Sequence, residues 1–214
     1  MDRRTFIKTA TLSAVNGAPR LWLPLPSVDN ATWIKPMGNL WQGNAASVQT
    51  LRDPTYAAQM LSAQWDAGEP APVLDVVSRF ATCDRAVDLS QPGKVAPLDK
   101  ATRALYTHAT ELLPTDGIVK KIALEITKGA KTDLDKARAI YEWVVDITQR
   151  NPKTRGCGTG DIRGMLESGN LSGKCADLNA LYVGLARSVG LPARDVYGVR
   201  GRLEGNRRDI MVGK

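Results

Sequence analysis

The hydrophobic pattern changes period partway along the chain, and that change limits the folds open to it. Val73, Asp75, Val77 and Arg79 alternate with Leu74, Val76, Ser78 and Phe80, the period-two rhythm of a strand with one face inward, and predict a strand within 72–89. Further on, Leu134, Ala137, Ile140, Tyr141, Val144 and Thr148 recur at steps of three and four, which is one face of a helix. Between them lies 91–97, with Pro92, Gly93 and Pro97, a composition suited to a linker. The fold class is therefore α+β, with a β-rich domain over 20–90 and a helical unit from 98 onward.

Within the first domain, the apolar run at Leu21 is broken by Pro24 and Pro26, so it suits an edge strand. Segments 47–52 and 56–65 read as further strands. Pro36, Gly38, Gly43 and Asn44 mark the stretch between as turns. Trp22, Trp33, Trp41 and Trp65 are assigned to core or inter-domain packing rather than to a ligand platform. In the second unit, helices are expected at 98–113, ending before Pro114, and at 116–127, stopped by Gly129. Thr132 or Asp133 caps a third, which Asn151 and Pro152 stop.

Composition excludes several classes of function. Of 214 residues 43% are hydrophobic and 24% charged, as in ordinary folded proteins. No window approaches the roughly 18 apolar residues of a membrane span. One histidine rules out metal sites that need two, and no metal or cofactor is expected. Three cysteines fit no disulfide scaffold. Residues 150–214 hold 12 Lys or Arg against six Asp or Glu. These arginines are scattered and accompany no recognition helix or zinc module, so no specific nucleic-acid partner is expected.

The start of the chain, with Arg3, Arg4, Phe6, Ile7 and Lys8, resembles a twin-arginine export signal, which is an address rather than part of a fold. The apolar segment that should follow is interrupted by Asn16, Gly17, Pro19 and Arg20. Read as a signal, 1–19 implies a periplasmic or exported protein; read as a basic tail, it leaves the protein in the cytoplasm.

Two cysteine segments remain. Cys157 stands among Gly156, Gly158 and Gly160, whose spacing matches neither a Rossmann nor a P-loop signature. It is a second functional thiol, a disulfide partner for Cys175, or a small buried residue, and the last is the ordinary fate of an isolated cysteine. Cys175 follows Ser172, a good N-cap. Leu178, Leu181, Leu185 and Val189 then give a helical face that Gly190 and Pro192 end. Cys175 thus falls in a first helical turn, where free N–H groups, the helix dipole and Lys174 favour a thiolate.

Gly173, Cys175, Arg187, Gly190, Leu191, Pro192, Ala193, Arg194 and Gly198 fill a pattern that resembles the nucleophile segment of the bacterial transglutaminase-like superfamily. The resemblance covers roughly 98–200. The 20–90 domain is similar to the β domain that accompanies this core in exported members. The family's fold is papain-like, and the resemblance implies that Cys175 attacks an amide of a protein or peptide substrate to form a thioester. It also implies a histidine as base and acid and an aspartate to orient it. Neither is matched, so the core reads as incomplete. His108 is upstream, Asp209 lies in a polar basic tail at 201–214, and little or no turnover is expected. The alternative is a noncatalytic peptide- or protein-binding module. Substrate identity and oligomeric state are not legible in the sequence.

Overall fold

The computed structural model describes residues 2–11, 17–28, 33–84, 86, 88–90, 96–198, 201–204 and 207–210. They fall into two compact units, one within 1–93 together with 197–212 and the other within 94–196. Most of the stretch expected as a linker, 91–95, lies outside the described residues.

The first unit contains strands β1 (Asp2–Thr11), β2 (Arg20–Pro24), β3 (Ile34–Gly43), β4 (Ser47–Arg52), β5 (Gln59–Gln64) and β6 (Val73–Thr82). They form two antiparallel sheets, ordered β1-β6-β3 and β2-β5-β4. Alternate residues of the central strands, Leu61 and Ala63 of β5 and Leu74 and Val76 of β6, join Leu23, Leu25 and Trp65 in one core. Asn44 ties it down. Its side-chain oxygen accepts from the Trp65 indole at 2.7 Å and from the Val73 N–H at 2.8 Å, while its amide donates to the Ala71 carbonyl at 2.8 Å.

Two expectations for this unit need correction. The stretch read as turns between 34 and 43 is β3. It is an edge strand, where Pro36 removes no ladder bond that must be kept, and its register shifts between Pro36 and Asn39 around Gly38 at φ +95°. The tryptophans are not alike either: Trp65 is buried, whereas Trp22 on the edge strand β2 is 56% exposed and Trp41 on β3 is 41% exposed. Arg3 and Arg4, read as part of an address, lie in β1 and pair with Ala81 and Phe80 of β6.

The second unit holds helices α1 (Lys100–Thr107), α2 (Gly117–Ile126), α3 (Asp133–Ile147), α4 (Ile162–Ser168) and α5 (Cys175–Ser188). Between them lies a two-residue parallel ladder of β7 (Gln149–Arg150) and β8 (Ser172–Gly173). Thr132 caps α3: its hydroxyl accepts from the Asp135 N–H, and the Asp135 carboxylate accepts from the Thr132 N–H. Of the face expected on α3, Ile140 is buried and Ala137 and Val144 pack against the core, but Tyr141 is 60% exposed and Trp143 takes the inward place. The α4 helix lies in what read as a glycine loop. Asp161 accepts from the Gly164 N–H at its start, Gly169 ends it at φ +69°, and Ile162 and Leu166 face inward.

The α5 helix is the centre of this unit. Ala176, Ala180, Leu181, Val183, Gly184, Leu185 and Ala186 are all buried, so its apolar surface is far wider than the expected Leu178/Leu181/Leu185/Val189 stripe. Small residues let neighbours close in: a Cβ at Gly184 would collide with the tip of Ile162. The carbonyls at its C-terminal end, which a helix leaves without internal partners, are met by cations. Lys120 donates to the Ser188 carbonyl, and Arg103 donates to that of Gly190 at 2.8 Å. Buried Arg187 donates from Nε to the Ala193 carbonyl at 2.8 Å and from a terminal nitrogen to the His108 carbonyl at 2.9 Å. Arg194 lies over the Tyr106 ring, 5.3 Å from its centre. The backbone at His108 is extended and its carbonyl accepts from Arg187, so α1 ends at Thr107 and does not run to 113 as expected.

The segment read as a polar tail contains strands β9 (Gly201–Glu204) and β10 (Arg207–Ile210), which pair as an antiparallel hairpin. Among the described residues, no helix is long and apolar enough to cross a membrane.

Helix α5 gives a direct test of this packing. Leu181 is fully buried, so Leu181→Ala should lower unfolding stability by about 2–5 kcal/mol. Tyr141→Ala, at a position the periodicity placed on the same kind of inward face, should change it by no more than about 0.5 kcal/mol. Urea unfolding followed by circular dichroism measures both.

Candidate active site

Cys175 is the first residue of α5 and is exposed. The cap is Lys174 and not Ser172 as the sequence suggested: Ser172 belongs to β8, and its hydroxyl donates to the Asn170 side chain at 2.7 Å. The helix begins where it does because the backbone before it is held. Gln149 and Arg150 pair with Ser172 and Gly173, and the Asn151 N–H donates to the Gly173 carbonyl at 2.7 Å. The Asn179 side chain donates to the Cys175 carbonyl at 2.7 Å.

The residue that assembles the site is Asp177, which the sequence reading passed over. Its side chain is buried, with one carboxylate oxygen accepting from the N–H groups of Thr159 and Gly160, both at 2.9 Å. The other accepts from the Lys174 N–H at 2.9 Å. One carboxylate therefore joins the loop that carries Cys157 to the helix start that carries Cys175. The glycines around it are explained by the same group. A Cβ on Gly158 or on Gly173 would overlap the Asp177 carboxylate, and Gly158 is at φ +99°. An acid three residues after a helix cap was the available signal.

This clasp puts the two thiols together. The Ala176 N–H donates to the Cys157 carbonyl at 2.9 Å. Cys175 pushes the Cys157 thiol above its ordinary range, first as a hydrogen-bonding neighbour and then by its charge. Cys157 is exposed, so the buried-residue reading of it does not hold.

His108 is at the other end of α5. Its carbonyl is bound by Arg187, 12 residues beyond Cys175, which is roughly 18 Å along a helix at about 1.5 Å per residue. The residues around His108 are fixed at that end too, the Ala193 N–H donating to the Tyr106 carbonyl at 2.9 Å. Asp195, half-buried near Arg187, has its carboxyl pushed up by burial, and the arginine's charge offsets part of that. Asp209 lies in β10, opposite Arg202. Among the described residues, no group of three His, Cys, Asp or Glu could hold a metal ion.

The clasp predicts a graded response. Asp177→Ala leaves three N–H groups without acceptors and should cost about 2–4 kcal/mol of stability. Asp177→Asn keeps one oxygen and should cost about half as much, measured by the same urea titration.

Residues 120–211 match the family model of the transglutaminase-like superfamily, which continues past residue 200, where the motif resemblance stops. An uncharacterised protein of Haemophilus influenzae is 33% identical over 190 residues, covering 86% of this chain and 51% of its own. The chain thus spans about half the length of the curated relative it matches. A candidate cysteine protease from Cytophaga hutchinsonii superposes with a TM-score of 0.66 at 11% identity, over 88% of this chain and 67% of that one, a likeness of fold. An α+β chain whose core helix opens on an exposed cysteine therefore matches the transglutaminase-like superfamily over residues 120–211 and shares its fold with that cysteine protease candidate.

Proposed function

We propose that Cys175 is the nucleophile of amide chemistry on a protein or peptide substrate. The observation that carries this reading is its position: an exposed thiol at the first residue of α5, with the helix start held by Asp177. Attack by the thiolate on an amide carbonyl forms a C–S bond and a tetrahedral oxyanion. Collapse of that species breaks the C–N bond and leaves a thioester, which water or an amine then resolves. The N–H of Cys175, used by none of the bonds described above, supports the oxyanion at the positive end of the helix.

The departing amine needs a proton, and this is where the 214 residues fall short. Their one histidine is anchored at the far end of α5. Without a proton-transferring group an enzyme of this kind loses roughly 10²–10⁴ in rate. The chain by itself therefore acts as a nucleophile-bearing module with little or no amidase or transamidase turnover.

The test is to assay glutamine-amide and peptide substrates with the wild type, Cys175→Ala and His108→Ala. A thiol-directed alkylating reagent should label Cys175, while turnover stays at the level of Cys175→Ala. Robust wild-type turnover abolished by either substitution alone would contradict the division of roles. Peptide binding that survives Cys175→Ala, with no labelling of the wild-type thiol, would favour a noncatalytic binding module instead.

A further inference from the structure

Cys157 has no part in the amide reading, yet its backbone is hydrogen-bonded to the first turn of α5 beside Cys175. The contact is built. The Cys157 carbonyl accepts from Ala176, the residue after Cys175, and the glycine on its other side packs on the Asp177 carboxylate that also holds the start of α5. Two backbones joined by one hydrogen bond are compatible with the ~4.4–6.8 Å Cα separation a disulfide requires. Both thiols are exposed, so a small oxidant can reach them.

We propose that Cys157 and Cys175 form a reversible oxidation site, in which a hydroperoxide oxidises Cys175 and Cys157 resolves the product as an intramolecular disulfide. The Cys175 thiolate attacks the outer peroxide oxygen. An S–O bond forms, the O–O bond breaks and the alcohol, or water from hydrogen peroxide, leaves with a proton; sulfur is oxidised by two electrons and the peroxide reduced by two. The Cys157 sulfur then attacks Cys175. An S–S bond forms, the S–OH bond breaks, and hydroxide leaves with the Cys157 proton as water. A dithiol returns the pair to two thiols. The roles are unequal because Cys175 opens α5, where the helix start favours attack by its sulfur, while Cys157 lies in the facing loop and resolves the product. This inference needs only the two thiols and stands whether or not Cys175 acts on amides.

The pair decides whether oxidation of Cys175 is a switch or damage. A nucleophile with no neighbour passes from sulfenic to sulfinic acid, which dithiols do not reverse. With Cys157 at hand, the sulfenic acid is trapped first.

The experiment treats the reduced 214-residue protein with a several-fold molar excess of hydrogen peroxide and follows it by intact mass and peptide mapping. The wild type should lose two hydrogens, give a Cys157–Cys175 linked peptide, and return to its starting mass with dithiothreitol. Cys83→Ser should behave identically. Cys157→Ser should gain two or three oxygens on Cys175, not reversed by dithiothreitol. Wild-type protein that gains oxygen at Cys175 without the linked peptide, or that links either cysteine to Cys83, would overturn the proposal. The wild-type result alone decides the matter if a variant folds poorly.

Discussion

Everything that makes this site a site passes through one buried carboxylate. Asp177 accepts three backbone N–H groups, two from the loop after Cys157 and one from the residue before Cys175. A buried charge is tolerated only when hydrogen bonds replace its hydration, and here those bonds are also the joints between two segments 17 and 18 residues apart in sequence. Gly158 and Gly173 are glycines because the carboxylate occupies the space a side chain would need. The cysteines meet as a consequence.

The two ends of α5 divide the work. At the N-terminal end the Lys174 N–H is met by Asp177 and the Ala176 N–H by the Cys157 carbonyl. At the C-terminal end Lys120 covers the Ser188 carbonyl, Arg103 that of Gly190 just past the helix, and Arg187 reaches out to the Ala193 and His108 carbonyls. Several basic residues of the second unit thus have an internal use. The helix between is buried on nearly all sides and acts as the rigid rod that holds both ends.

Much of this was legible before any coordinates. The period change located strands before the 91–97 stretch and helices after it, and the Gly190–Pro192 stop and the placement of Cys175 in a first turn agree with α5. What escaped has physical causes. Pro36 and Gly38 looked like turn residues because local preference cannot see that β3 is an edge strand with a bulge. The α4 helix hid in a glycine-rich run, although Asp161, Gly169 and the Ile162/Leu166 spacing marked it. Tyr141 was placed inward by periodicity alone, which cannot tell it from Trp143. Asp177 escaped because a carboxylate in a first helical turn is ordinary; its importance comes from Thr159 and Gly160, which only tertiary structure brings to it.

The most direct test of the Asp177 clasp is amide hydrogen exchange at Thr159, Gly160 and Lys174. Two of these lie in a glycine-rich loop and one at a helix edge, positions that ordinarily exchange through local opening at little cost. If Asp177 holds them as described, all three should exchange as slowly as Leu181 and Leu185 in the buried middle of α5, and should speed up together in Asp177→Asn. Exchange at the rate of an open loop in the wild type, or three amides that respond independently to the substitution, would contradict the account.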